Sequence, residues 1–302
     1  MEVKFMCTTF SVCKNNNTFI LRTMDLEKYH EYEFKFFPSG YNYENDVFGN
    51  KLYTKYKIMG TTFKNYDHLL DGINEEGLLG CTNSFRNQIT FVKNANYKKI
   101  NLTSTKLLNV FLTNCKNLDE VKELSKKIFI LKESFVDKDN FSRHYHYMFT
   151  DKNNHSLIVE IEDGNLKVHE NTYNIMTNSP KFEIHIKNLK KYIKDSILKG
   201  SLLTPTKRFL RAYDELININ KEILETDTLD FLFKSLEKFK ISKSDYNNFS
   251  PKKDNITLYY SIISAIDKKY YLKYTNSKFI NCFSFDDFKN QDVKKIIRPL
   301  TF

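Results

Sequence analysis

The stretch MEVKFMCTTF places a cysteine, Cys7, directly behind a second methionine. If Met1 to Met6 are lost, Cys7 becomes the first residue. Its thiol then gains a base of its own, an α-amino group with an ordinary pKa of about 7.7–8.0. Two other stretches carry groups that such a nucleophile would use. FILRTMDLE is apolar through Leu21 and then presents Arg22 and Asp25; a cation beside a thiol lowers its pKa, and an anion holds an ammonium. In IMTNSPKFEIH, Asn178 stands where a strand ends and Pro180 opens a helix, and a rigid side-chain amide there can donate to an oxyanion. Each residue also has an ordinary account: a packed strand cysteine, a surface ion pair at a strand end, an asparagine cap or turn. Arg22 and Asp25 are three apart, and such residues face opposite sides of a regular strand. Bringing both to one site therefore requires a bulge or a strand end at Met24.

Up to about residue 95 the pattern is that of strands. In FMCTTFSVC, residues Cys7, Thr9, Ser11 and Cys13 share one face, with Thr8, Phe10 and Val12 on the other. The Asn-rich KNNN predicts a hairpin into NTFILRTMDL, and YEFKFF, YTKYKIMGTTF and LLGCTNSF each read as a further strand. From 103 to 131 the period becomes helical. Leu107, Leu108, Val110 and Phe111 form one stripe. After Asn117, a cap with Glu120 three residues on, Val121, Leu124, Ile128 and Ile130 continue toward a second. Strands return over 144–177, with an Asp-Gly turn at 163–164. Helices are expected near 181–198, 206–224 and 228–239, the first burying Ile186, Leu189, Ile193 and Ile197. ITLYYSIISAID and KYYLKYTNSKFINCFSF read as two closing strands. With no Pro/Gly/Ser-rich linker and no internal repeat, this order predicts one α+β domain, helices packed on antiparallel sheets.

At 302 residues the chain can bury a full core without disulfide or metal. Its cysteines, Cys7, Cys13, Cys81, Cys115 and Cys282, are odd in number and lack CxxC spacing. That points to a reducing compartment and away from a zinc site. The sequence has no apolar run of about 18 residues, and MEVKF lacks the apolar stretch of a secretory signal; the cytoplasm is the expected address, with no membrane partner. The net charge of +10 raises nucleic acid as a partner. Only six of the 47 basic residues are arginine, however, and the lysines are scattered among asparagines with no nucleic-acid-binding signature. His144 and His146 alternate on one strand face as a metal pair would, without a third ligand at sensible spacing, so no metal is expected.

Taken in order, these segments resemble the choloylglycine hydrolases, N-terminal-nucleophile amidases that include bile salt hydrolases and penicillin V acylases. MCTTF is similar to their start, where cysteine follows methionine or a short propeptide. RTMD resembles the penicillin V acylase form of a motif that bile salt hydrolases usually write RNMD or RNLD. DGINEEGLLG resembles their DGVNEKGL, MTNSP…H…NL..Y their LTNSPTF..H…NL..Y, and RFLRAY their SRF.RVAY. The resemblance is collinear from Cys7 to about residue 285. It implies an αββα four-layer sandwich and a cofactor-free amidase that opens a small-molecule acyl amide through a thioester.

Residue by residue, the resemblance implies that Cys7 is the nucleophile and its freed amine the base. Arg22 would sit beside the thiolate, Asp25 would anchor the α-ammonium, Asn178 would donate to the oxyanion and Arg208 would brace the site, with Arg211 structural. A second oxyanion donor would be a backbone N–H, at Ser84 by ungapped alignment or at Asn83 with a one-residue gap. Residues 1–6 are then a propeptide or an upstream start, and 7–302 one domain. RTMD tips the expected acyl preference toward penicillin V acylases. Acyl transfer to an amine is the neighbouring alternative, and a basic nucleic-acid-binding protein the distant one. Between Asn188 and Arg208 only about twenty residues stand where relatives carry a longer glycine-rich hairpin that makes tetramer contacts. A dimer or monomer and a more open pocket are expected. The acyl pocket is expected in loops after Asp25 and around 58–66, 84–90 and 132–143.

Overall fold

The structure is a computed structural model that describes residues 6–27, 31–132, 144–195, 203–222, 227–242, 255–289 and 295–297. Its first hairpin shows how local sequence sets the register. Asn15 and Asn16 take φ of 50° and 57° between β1 (Thr9–Lys14) and β2 (Asn17–Glu27). Both central residues of such a two-residue turn are left-handed, a conformation asparagine tolerates, and the turn's twist matches that of the strands. Strands β3 (Tyr32–Phe37), β4 (Asn42–Asn45), β5 (Lys51–Tyr53), β6 (Ile58–Phe63), β7 (Leu69–Asn74), β8 (Leu79–Ser84) and β9 (Ile100–Leu102) follow. Two helices come next, α1 (Leu107–Asn114) and α2 (Leu118–Lys127), the second capped by Asn117, whose side chain accepts the Glu120 N–H.

Beyond them run β10 (Ile128–Ile130), β11 (Tyr145–Thr150), β12 (Ser156–Glu162), β13 (Asn165–Glu170) and β14 (Ile175–Met176). The expected Asp163-Gly164 turn joins β12 to β13, both residues at positive φ. Helices α3 (Phe182–Asp195), α4 (Pro205–Lys221) and α5 (Thr228–Glu237) precede β15 (Asn255–Ser264), β16 (Lys269–Tyr274), β17 (Ile280–Ser284) and β18 (Lys295–Ile297).

Two large sheets form, each with antiparallel neighbours. One has six strands in the order β14-β1-β2-β15-β16-β17, the other eight in the order β13-β12-β11-β8-β7-β6-β3-β18. Helices α3, α4 and α5 cover the outer face of the six-stranded sheet, burying Phe10, Val12, Phe19 and Leu21. Helices α1 and α2 cover the outer face of the other, through Leu107, Leu108, Phe111 and Val121. The inner faces meet at Ile20, Met24, Phe34, Phe36, Met59, Tyr259 and Tyr270. This is the expected four-layer αββα sandwich. Each fully buried Phe or Leu is worth roughly 1.5–3 kcal/mol, and a one-residue slip of β1 would turn Phe10 and Val12 away from the helices. The same alternation aims Cys7 and Thr9 between the sheets.

Four local expectations change. Ile128 and Ile130 leave the α2 pattern for β10, which pairs in parallel with β9. Helix α3 buries Phe182, His185 and Leu189 and leaves Ile193 46 % exposed, because its packing line runs one position before the expected stripe; Ile197 lies outside the described residues. YTKYKIMGTTF divides between β5 and β6, and the closing KYYLKYTNSKFINCFSF between β16 and β17 around a turn at Thr275. Among the described residues, no helix is long and apolar enough to cross a membrane.

Candidate active site

Cys7 continues β1 in register against β2. Met6 bridges to Asp25 and Thr9 pairs with Arg22, which sets Cys7 opposite Met24. Residues directly opposite share a face, so Cys7, Thr9, Arg22 and Met24 point between the sheets while Thr8, Thr23 and Asp25 point toward the helices. The anticipated bulge in β2 is absent. The irregularity lies across the ladder in β15, between Thr257 and Tyr259, and sets Thr257 opposite Asp25. Arg22 and Asp25 therefore approach Cys7 from opposite faces of the sheet rather than from one side. This works because Cys7 ends the strand: its thiol faces inward, while its backbone can be reached from the helix layer.

On the inner side, Arg22 donates to Asp71 Oδ2 at 2.8 Å and to the Thr82 carbonyl at 2.6 Å. Asp71 is held in turn by Thr61, by Ser261 at 3.0 Å and by Tyr270 at 2.7 Å. On the helix side, Asp25 accepts from Thr23 at 2.9 Å and from Thr257 at 2.6 Å, and Thr23 Oγ1 also accepts the Thr8 N–H at 3.1 Å. Asn178 follows β14, and its Oδ1 accepts the Cys7 N–H at 2.8 Å. Arg208, in the first turn of α4, donates to the same Oδ1 at 2.7 Å, to the Cys7 carbonyl at 2.5 Å, to Thr8 Oγ1 at 2.9 Å and to the Leu203 carbonyl at 3.1 Å. Thr204 and Pro205 start α4 there as cap and first helical residue, which places Arg208 one turn inside the helix.

Asn178 Nδ2 donates to the Ser84 carbonyl at 3.1 Å. The backbone that meets Asn178 is thus that of Ser84. Asn83 instead turns its side chain to the Met176 and Thr177 carbonyls, at 3.2 and 3.3 Å. Arg211 stands outside the cluster, donating to the Lys238 carbonyl and lying over Phe239. His146 brings Nε2 to 2.7 Å from the Thr177 carbonyl, and its ring stacks on Phe85. Residues 1–5 and 133–143 lie outside the described residues.

Burial sets the electrostatics. Cys7, Arg22, Asp25, Asn178 and Arg208 are all buried. Desolvation raises the Cys7 thiol above its ordinary value, against the pull of Arg22. Burial also works against the charge of Arg22, but Asp71 together with the neighbouring Cys7, Tyr259 and Cys81 outweighs it, so the guanidinium stays ionised. The Asp25 carboxyl is pushed up to about 6 by burial, with Arg208 opposing. A second cation on Asp25, such as an α-ammonium, would be stabilised and would lower it.

A family model of linear amide C–N hydrolases of the choloylglycine hydrolase family matches residues 7–297. The chain belongs to this family. Among its relatives, the bile salt hydrolase/transferase of Clostridium perfringens is 30 % identical over 192 residues, or 62 % of this chain and 58 % of the relative. The chain thus spans under two thirds of that protein's length. The conjugated bile acid hydrolase of Lactobacillus gasseri is 25 % identical over 255 residues, covering 76 % and 79 % of the two chains. A crystal structure of a conjugated bile acid hydrolase variant from Clostridium perfringens superposes over 97 % of both chains with a TM-score of 0.84 at 23 % identity. The penicillin V acylase of Agrobacterium tumefaciens does so over 96 % of this chain and 90 % of its own, with a TM-score of 0.76 at 21 % identity. At those identities the likeness establishes the N-terminal-nucleophile hydrolase fold that this choloylglycine hydrolase family member shares.

Sequence reasoning missed several residues. Asp71 sits in LLDGIN and received no role, although a buried Arg22 demands a counterion and a carboxylate inside an apolar strand was the signal for one. Thr257 carries no local signal, since only the β15 register brings it to Asp25. His146 is legible as a strand histidine in a would-be metal pair and His185 as the histidine of MTNSP…H, but neither position reveals the carbonyl it meets.

Proposed function

We propose that this family member is an N-terminal-cysteine amidase that hydrolyses a linear amide through a thioester on Cys7, once the residues before Cys7 have been removed. The observation that carries this reading is the gathering of Asn178, Arg208 and Asp25 around the backbone of Cys7. A cysteine that only packs needs no fully buried guanidinium on its carbonyl, and desolvating one is costly. The released α-amine takes the Sγ proton, and the thiolate attacks the acyl carbon. Asn178 Nδ2 has two hydrogens, of which Ser84 takes one. The other donates to the tetrahedral oxyanion, together with the Ser84 backbone N–H. The α-ammonium then protonates the departing nitrogen and the C–N bond breaks. The amine next takes a proton from water, whose oxygen attacks the thioester, and the acid leaves with the thiol restored. Asp25 steadies the ammonium that forms within each step, and Arg22 the thiolate.

While residues precede Cys7, its nitrogen is an amide and cannot act as a base. Intact-mass measurement and N-terminal sequencing beside an activity assay test the reading: active protein begins at Cys7, and an active preparation that still carries MEVKFM refutes it.

The thiol faces the aromatic inter-sheet layer, where Tyr32 and Tyr259 meet edge to face at 5.2 Å; this supports an apolar acyl group. A penicillin V acylase-like preference rests on the threonine of RTMD. Thr23 turns its hydroxyl to Thr8 and Asp25 on the helix side, so the motif supports that preference without a pocket contact. A panel of phenoxyacetyl amides against glycine- and taurine-conjugated bile acids decides it, and amine acceptors added to the same panel detect acyl transfer.

A further inference from the structure

Two buried histidines stand behind Asn178 on different layers. His146, on β11, brings Nε2 to 2.7 Å from the Thr177 carbonyl, and His185, on α3, brings Nε2 to 2.8 Å from the Asn178 carbonyl. A carbonyl only accepts, so each Nε2 carries the hydrogen and donates. Those two carbonyls belong to the peptide planes on either side of the Asn178 Cα. Holding both planes holds φ and ψ at Asn178, and with them the direction of its Cα–Cβ bond. We propose that His146 and His185 are positioning residues for the amidase reaction, clamping the backbone of Asn178 so that its side-chain amide is aimed at Cys7.

Each clamp is locked by an aromatic neighbour. The His146 ring lies on Phe85 at 4.4 Å and 12°, the His185 ring on Phe209 at 4.9 Å and 7°. Glu160 ties the two sides together. Its Oε1 accepts the Phe182 N–H at 2.7 Å, at the start of the helix that bears His185, and lies 3.8 Å from His146 Nδ1. The remaining ring nitrogens are the telling detail. Nδ1 of His146 and Nδ1 of His185 are buried without a hydrogen-bond partner among the described residues. Leaving a polar atom so costs about 1–3 kcal/mol, a cost that an apolar ring stacked in the same place would avoid. The imidazoles make sense through the other nitrogen. Burial pushes the His185 pKa down to about 4, which leaves that ring neutral, with its one hydrogen on Nε2.

The inference rests on the amidase reading, and the test separates the two. Glutamine places an amide N–H about where histidine has Nε2, and leucine removes the donor. In His146→Leu and His185→Leu, kcat is expected to fall roughly 10- to 100-fold with KM within about twofold, while His146→Gln and His185→Gln retain most of the wild-type kcat. Independently of turnover, the Asn178 side-chain NH2 resonance in asparagine-labelled protein, assigned with Asn178→Ser, shifts in the leucine variants and returns in the glutamine ones. If the leucine variants do not fold, asparagine, whose amide is too short to reach the carbonyl, replaces leucine. A wild type inert toward every linear amide sinks the amidase reading while the resonance still decides the clamp. Unmoved kcat and resonance in the donor-less variants, or equal loss in the glutamine variants, overturns the clamp.

Discussion

Asn178 Oδ1 accepts the backbone N–H of Cys7 at 2.8 Å across 171 positions of chain. The same oxygen accepts from Arg208 at 2.7 Å, so one side-chain amide joins the first strand, the segment after β14 and the α4 helix at a single atom. Its oxygen is committed to the backbone of Cys7, the proposed nucleophile, and its nitrogen faces the Ser84 carbonyl, on the side where the oxyanion of the proposed reaction would form. Charge-assisted donation from Arg208 polarises the amide and strengthens both of its faces.

Removing the thiol tests the nucleophile with little structural consequence, since Cys7 fills a small volume at a strand end. Cys7→Ala should lower turnover of any cleaved amide by more than about a thousandfold while the melting transition stays close to wild type. In the wild type, mass spectrometry of an acid-quenched reaction should find the acyl group on Cys7. Unchanged turnover in Cys7→Ala removes the thioester from the reaction.

Arg208 makes four hydrogen bonds from a fully buried position. Arg208→Met strands the Cys7 carbonyl and the second lone pair of Asn178, and should cost about 3–5 kcal/mol in urea unfolding. A lysine there is a point charge that cannot span those acceptors. Arg208→Lys is expected to recover part of the stability and still lose roughly 10- to 100-fold in kcat.

Asp71 is the counterion of Arg22 across the two sheets. Asp71→Asn keeps the shape but leaves a buried cation uncompensated, at an expected cost of about 3–5 kcal/mol. Adding Arg22→Met should restore much of it. A double-mutant cycle in urea reads the coupling; additive losses would show that the pair does not act as a unit.

Asp25 gives stability a pH slope of definite sign. Its carboxyl is held at about 6 by burial, against an ordinary 3.8. Between those values the folded chain binds more protons than the unfolded one, so this contribution is complete below pH 4 and is lost as the pH rises through 6. The loss is on the order of 3 kcal/mol. Asp25→Asn should flatten that slope in protein that retains residues before Cys7. In protein beginning at Cys7 the new ammonium lowers the carboxyl pKa, and the wild-type slope should shrink as well.

Much of this molecule is legible along the chain because its signals are local. Asn15-Asn16 and Asp163-Gly164 specify their hairpins through left-handed backbone, and alternation in β1 already puts Cys7 and Thr9 on one face. Asn117 marks a helix start by chemistry confined to one turn. Cys7, Arg22, Asp25, Asn178 and Arg208 could be named from residue type and ordered motifs. Tertiary structure decided how they meet. Arg22 and Asp25 reach Cys7 from opposite faces, and no one-strand argument yields that, because it depends on one sheet stacking inside and helices outside. Asp71 and the two histidines behind Asn178 are visible along the chain as a carboxylate in an apolar strand and as strand and motif histidines, but nothing local names their partners. Asp71 meets Arg22 49 positions away, and the histidines meet the Thr177 and Asn178 carbonyls. A strand fixes its own faces by its period of two, but the partner each buried charge meets is set by which layer lies against that face, and that is a property of the assembled sandwich.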